Sequence, residues 1–365
     1  GGITGASVAY NLAKLGMKDV VVLEKDTVCS GSTGRCGAGI RAQWGTEMNC
    51  RFGLACVEKF EQLADELGMD CGLNQSGYLM VAYQQSEFEQ LQKNVALQNS
   101  LGYMTKIVSH EEAREICPGV AVDDAIGFTF NNRDGHADPF LTTFAYQEAG
   151  KRFGVTFHKH TEVTGVKVQN GKAAGVVTTR GEIDAPIVIN AAGPYSQFVA
   201  KMAGVDIPNY SERHEIIITE PVEAGVCPPM LMSFSGNYYL QQRPHGSIIG
   251  GCSPEGHPAD YTRGATWDFL EHMSRVFTKL LPRAKGIRVV RQWSGLYNMT
   301  PDRQPIICEA ENVKGFYLSC GYSGHGFMFG PVTGEALAQH ILLGKSDIPI
   351  DMLHYRRFAE GKLLI

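Results

Sequence analysis

Apolar positions near the start of the chain fall into two successive patterns. Ala6, Ala9 and Ala13 recur at helical spacing behind a glycine-rich opening, and four aliphatic residues, 20–23, then run without interruption into Glu24 and Lys25. The first pattern predicts a helix with a small-residue face. The second predicts a strand buried on both sides, as in a parallel sheet. Phe52, Cys56, Phe60, Leu63 and Leu67 share one helical face and predict a helix over 46–67. A strand over 77–81 follows, then a helix opening at Ser86, which stands in capping-box spacing with Glu89. Ser109 and Glu112 repeat that spacing. Residues 127–138 predict a strand and turn, and Pro139 opens a helix that reaches about residue 152.

The period then shortens to two. Runs at 163–168, 175–179 and 187–189, separated by Asn170-Gly171 and Arg180-Gly181, predict a β-meander that ends in Asn190-Ala191-Ala192-Gly193-Pro194. Within 211–294, the apolar runs 215–219 and 247–251 and the pair Tyr238-Tyr239 predict a second sheet, followed by a helix around 266–281. The chain closes with a strand over 315–320, a loop over 321–328 and a helix over 334–343. It contains no internal repeat and no low-complexity segment.

Composition narrows the class. With 365 residues, 44% hydrophobic, 19% charged and a formal net charge of -5, the chain reads as a globular protein of two domains or one with a large insertion. Mild acidity gives no reason to expect nucleic acid, and no apolar run reaches the length of a membrane span. No secretory leader is visible, but the chain opens inside a motif, so that absence weighs little. The ten cysteines are scattered and none forms C-x-x-C, which predicts reduced, mostly buried thiols, a cytoplasmic location and no metal site.

The candidate chemistry starts at residue 1. Gly2 and Gly5, with Ile3 and Thr4 between them, have the spacing of the last two glycines of G-x-G-x-x-G, so the opening strand of the motif falls before residue 1. Glycines let backbone amides approach a pyrophosphate, and the helix N-terminus adds oriented dipoles. Glu24, about twenty residues further on, suits the two ribose hydroxyls of an adenosine and would repel a 2′-phosphate. The competing reading is an ordinary tight turn. The stretch from Cys29 to Arg41 has no period. Its hydroxyls and small residues, flanked by Arg35 and Arg41, suit wrapping a phosphate or running beneath a planar ring.

Together these stretches resemble the FAD-dependent amine and amino-acid oxidoreductases of the D-amino-acid-oxidase superfamily. Further markers are Ile189-Asn190-Ala191-Ala192-Gly193, Thr300-Pro301-Asp302 with Pro305-Ile306-Ile307, and Gly321-Tyr322-Ser323-Gly324-His325-Gly326-Phe327. Arg35-Cys36-Gly37-Ala38-Gly39-Ile40-Arg41 and Asp134-Gly135-His136-Ala137-Asp138-Pro139 look most like the β subunits of dye-linked L-proline dehydrogenases and of heterotetrameric sarcosine oxidase. The resemblance implies an α/β plus α+β fold. A Rossmann-like FAD-binding domain, clipped at its first strand, would comprise 1–75, 139–210 and 295–365. A mostly antiparallel substrate- or partner-binding domain would comprise 76–138 and 211–294.

For the cofactor, the resemblance implies FAD held by Gly2, Ile3, Thr4, Gly5, Glu24 and Lys25, with Val163 on the adenine side and Ala191 and Gly193 nearby. Ser32, Thr33, Arg35, Cys36, Gly37, Ala38 and Gly39, and Gly324, His325, Gly326, Phe327 and Met328, would line the flavin. An FMN at an interface with a partner subunit is left open. Arg41 matches a carboxylate-binding arginine of sarcosine oxidases; a structural arginine paired with a nearby acid is the alternative. His325 would touch the flavin edge, and Tyr239 and Tyr297 would line the substrate pocket, although strand aromatics are commonly plain core.

Two departures bear on electron flow. Met328 stands where monomeric sarcosine oxidases have a lysine, and the strand at 247–250 has none where those enzymes carry one for oxygen. This favours a dehydrogenase that passes electrons to an α subunit with further redox centres. A stand-alone oxidase of glycine-oxidase type and a scaffold subunit binding FAD structurally remain as alternatives.

Overall fold

The computed structural model describes residues 1–252 and 260–364, so residue 365 and the piece 253–259 of the expected second sheet lie outside the described residues. The opening helix, Ile3–Lys14, buries nearly its whole length. It packs against the helix Gly326–Leu343 and the helix Pro139–Arg152. Small residues make the first contact possible. A Cβ on Gly330 would sit 3.1 Å from Ile3, and one on Gly334 would collide with Ser7. Ser7 Oγ donates to the Pro331 carbonyl at 3.2 Å. The helix predicted over 334–343 therefore begins earlier, at Gly326, and takes Phe327 and Met328 out of the expected loop.

Two parallel strand pairs flank this helical layer: Val21–Leu23 with Thr156–His158, and Val188–Asn190 with Phe316–Cys320. The second pair is extended by Ile306–Glu309. The aliphatic run 20–23 is less enclosed than expected, because Val21 is 39% exposed. The expected meander is also rearranged. Its sheet is Val163–Gln169, Lys172–Thr178 and Gly181–Asp184, while the run at 187–189 crosses to pair with Phe316–Cys320.

The second layer is an eight-stranded sheet in the order Val289–Met299, Tyr210–Thr219, Ile248–Cys252, Tyr238–Gln242, Met230–Ser233, Tyr78–Ala82, Gly127–Asn131, Lys106–Val108. All its pairings are antiparallel except Met230–Ser233 with Tyr78–Ala82. The helix Trp267–Leu280 covers one face with Phe269, Met273 and Phe277.

Local capping explains most boundaries. Thr46 accepts from the Asn49 N–H to start the helix Glu47–Leu67, which stops at Gly68 with φ 64°. Asp138 caps the helix that Pro139 opens, and the capping box at Ser109 and Glu112 forms as expected. The box at Ser86 does not form. That helix starts at Gln85 with no side-chain cap. Glu87 instead accepts from the N–H of Tyr83 at 3.2 Å and of Ser235 at 3.1 Å, tying the helix start to the neighbouring sheet.

Candidate functional site

One large cavity, about 660 Å³, runs from the N-terminus of the opening helix to the eight-stranded sheet. That volume lies within the range of ligand pockets. Gly2, Ile3, Thr4 and Gly5 line it at one end, with Glu24 and Lys25 at the strand end beside them and Val163, Ala191 and Gly193 on the adjoining wall. The Ile3 N–H donates to Thr33 Oγ1 at 3.2 Å, and a Cβ on Gly2 would sit 2.9 Å from that same oxygen. The loop thus closes directly over the helix start, a space only glycine leaves open. Glu24 Oε1 accepts from the Asp26 N–H at 2.9 Å, which fixes the carboxylate at the cavity wall. Ser32, Thr33, Arg35 and Cys36 line the middle; Ser32 donates to the Leu296 carbonyl at 2.7 Å.

Aromatics form the other end. Tyr239 and Tyr297 line the cavity with Gly324, Gly326 and Phe327. His214, on the strand Tyr210–Thr219, also lines it and lies between the two tyrosines, its ring centroid 4.3 Å from Tyr297 and 5.9 Å from Tyr239, all nearly parallel. Its Nε2 is buried and has no hydrogen-bond partner among the described residues. Burial pushes the imidazole down to about 4, so it is neutral at ordinary pH. His214 was not singled out in the sequence. Its flanking residues give no motif, and its setting is made by strands distant along the chain.

Gly37, Ala38, Gly39, Arg41, His325 and Met328 lie outside the cavity lining. Gly37 leaves room for the Tyr239 ring, which a Cβ would approach at 3.1 Å. Met328 is core. His325 is the N-cap residue of its helix, with its ring 4.6 Å from Trp44. Burial, then the nearby Arg41 charge, pushes it down to about 3.

Arg41 is 7% exposed and faces a smaller cavity of about 80 Å³ with Gln43, Trp44 and Gln98. Its guanidinium lies 4.2 Å from the Trp44 ring centroid and donates weakly to Met232 Sδ at 3.5 Å. No carboxylate comes within ion-pair distance of it among the described residues, and its Nε has no partner. The segment that follows is held by Asp134. That carboxylate accepts from the Ala42 N–H at 2.7 Å, from Gln43 Nε2 at 2.8 Å and from the Tyr103 hydroxyl. Burial raises Asp134 to about 6 despite these donors.

The cysteines of the described chain are free thiols, and all but the half-buried Cys36 are buried. Among the described residues, no cluster of His, Cys, Asp and Glu suits a metal ion, and no helix is long and apolar enough to cross a membrane.

Comparison with known proteins agrees with this layout. An L-proline dehydrogenase structure from P. horikoshii is 38% identical, with a TM-score of 0.94, covering 100% of this chain and 97% of that one. The sarcosine oxidase subunit beta of Arthrobacter sp is 28% identical over 100% of this chain and 91% of its own length. That of Rhodobacter capsulatus is 26% identical over 99% and 87%. The sequence profile of the DAO family, described as FAD dependent oxidoreductase, matches residues 1–340. With its glycine-bounded cavity and mixed α/β layers, the chain belongs to the DAO family of FAD-dependent oxidoreductases.

Proposed function

We propose that the chain is the catalytic subunit of a hetero-oligomeric dehydrogenase that oxidises the C–N bond of a secondary amino acid of proline or sarcosine type. The observation that carries this reading is what meets around Tyr297: a stacked neutral imidazole, and the buried Arg41 guanidinium, whose charge bears on the phenol and which has no carboxylate within ion-pair distance among the described residues. A small amino acid has the complementary groups, a carboxylate and an amine. The names of the similar proline dehydrogenase and sarcosine oxidase subunits support the substrate class.

FAD bound in the cavity would supply the hydride acceptor for oxidation at the carbon next to the substrate nitrogen. The chain's own residues then have separable tasks. Gly2, Gly5 and the helix start would offer N–H groups to the pyrophosphate, and Glu24 would accept from the ribose. The Arg41 fork takes the substrate carboxylate with charge-assisted hydrogen bonds. His214 Nε2, neutral, accepts from the substrate amine and can hold its proton as the C–H bond breaks. Tyr239 and Tyr297 exclude water and stack the imidazole in place. We assign 1–75, 139–210 and 295–365 to cofactor binding, and 76–138 and 211–294 to substrate or partner. Free thiols throughout fit a cytoplasmic setting.

Anaerobic mixing of the flavin-loaded protein with proline, hydroxyproline, sarcosine, glycine and primary amino acids tests the reading. Bleaching of the flavin by secondary amino acids, and weakly or not at all by primary ones, is expected. Bleaching by none of them would leave a non-catalytic flavin-binding subunit.

A further inference from the structure

Residues 260–266, which lead into the helix Trp267–Leu280, border the large cavity through Arg263. The Tyr261 ring sits 5.0 Å from Phe198 and 5.7 Å from Tyr195, both of which line the cavity. Lys25 Nζ lies 3.5 Å from the Tyr195 ring centroid on the same wall. At the other end of this stretch, the Thr266 N–H and hydroxyl donate to the fully buried Glu215 carboxylate at 2.8 and 2.7 Å. Both ends of the segment are therefore anchored, one on an aromatic cluster and one on a buried acid. Between them Arg263 lines the cavity, as does Arg35 from the loop below.

The two arginines stand close enough for the charge of one to act on the other. Neither makes an ion pair among the described residues. Arg35 spends Nε and Nη1 on the carbonyls of Ser30 and Ser294, at 3.3 Å each, and Nη2 has no hydrogen bond among the described residues. Its pKa is lowered, first by burial and then by the charges of Arg263 and Arg291, while the Asp26 charge opposes this with a smaller effect. Like charges held together beside a cavity are stabilised when an anion enters between them. The same cavity is lined by the N-terminal residues of the opening helix, whose amides favour an anion.

We infer that Arg263 is a pyrophosphate ligand for FAD, delivered across the cavity by the anchored segment 260–266 and acting with Arg35 as a two-arginine clamp. The inference rests on FAD being the cavity's ligand. It assigns the segment a retention role: the helix start binds the pyrophosphate from one side, and Arg263 closes on it from the other. Tyr261 is the positioning residue, because its ring contacts hold the segment against the wall that carries Lys25 and Tyr195.

The test is the rate of FAD release from the flavin-loaded protein after dilution, followed by ultrafiltration and flavin absorbance. Arg263 is exposed at the rim, so its replacement leaves the fold intact. Arg263→Gln is expected to release FAD roughly tenfold faster, the effect of losing one charge-assisted contact at a partly solvated site. Arg263→Lys should fall between the two, and Tyr261→Ala should approach Arg263→Gln. Arg291→Gln removes the same charge outside the cavity and should leave release unchanged. Unchanged release in Arg263→Gln, or equal acceleration in Arg291→Gln, would overturn the clamp while leaving the proposed oxidation untouched. A parent protein that holds no FAD would overturn both.

Discussion

The rings of His214 and Tyr297 lie 4.3 Å apart and within 9° of parallel, on neighbouring antiparallel strands of the eight-stranded sheet. Stacking fixes the plane of the imidazole, and burial keeps it neutral, with Nε2 buried and unpartnered among the described residues. His214→Phe preserves the ring and removes the nitrogen. If Nε2 receives the amine, flavin reduction should slow by roughly tenfold to a hundredfold, the cost of leaving a buried polar group without its partner. FAD content should stay at the parent level. Stopped-flow bleaching at saturating substrate measures this, and an unaltered rate would remove His214 from the chemistry.

The buried histidines also set a pH dependence. His136 and His214 are pushed down to about 4 and His325 to about 3, in each case chiefly by burial. An unfolded histidine titrates near 6.5, so below about pH 6.5 the unfolded chain takes up protons that the folded chain refuses. The stability these groups contribute is complete above that pH and falls as pH drops toward 4. Asp134, raised to about 6 by burial, opposes the trend at the acid end, since it gains its proton earlier in the folded state. Urea midpoints measured from pH 7 to pH 4.5 should fall for the parent and fall less steeply for His214→Phe. Parallel slopes would mean that His214 is charged or solvated in the folded protein.

Much of this architecture can be read from local chemistry. Asp138 and Pro139 start their helix where a cap followed by proline predicts, and Gly68 ends another in the left-handed region. Glu24 stands at the cavity directly after the strand Val21–Leu23, where the end of an aliphatic run places it. What escaped the sequence depends on distant partners. Ser86 has capping-box spacing, yet Glu87 decides the helix start by reaching Ser235 in the turn that follows the strand Met230–Ser233. The strand Val289–Met299 mixes Arg291 and Gln292 with apolar residues, and only its long pairing with Tyr210–Thr219 makes it extended. His214 follows the same rule: nothing adjacent to it names its role, which Tyr239 and Tyr297 create by packing on both sides.

Arg41 carries the prediction on specificity. It is buried over Trp44, with no carboxylate in ion-pair reach among the described residues, and Asp134 holds the residue after it. Arg41→Met keeps the stem and removes the fork. The expected outcome is a KM for the best amino acid raised enough to lower kcat/KM roughly tenfold to a hundredfold, with FAD content unchanged. Arg41→Lys should recover little, because a point charge cannot reproduce two parallel hydrogen bonds. An unchanged KM would place the carboxylate elsewhere and leave Arg41 as a packed partner of Trp44.

The last prediction concerns where the electrons go. The strand Ile248–Cys252 contributes no cation, and its glycines have no room for one. A Cβ on Gly250 would collide with Phe277, and one on Gly251 with the Tyr239 hydroxyl. On the other side, Met328 is buried in the core of the helical layer. Negative charge developing on oxygen next to the ring would therefore find no ammonium group from either element, and such preorganised charge is what speeds oxygen reduction. The substrate-reduced protein should pass electrons quickly to an artificial dye and slowly to oxygen. Purified from its own host, it should carry a second subunit with a further flavin or an iron–sulfur cluster. Mixing the substrate-reduced protein with air-saturated buffer in a stopped-flow instrument measures the first part. Fast reoxidation with stoichiometric hydrogen peroxide would identify a stand-alone oxidase, and the dehydrogenase assignment would then fail even if His214 and Arg41 behave as argued.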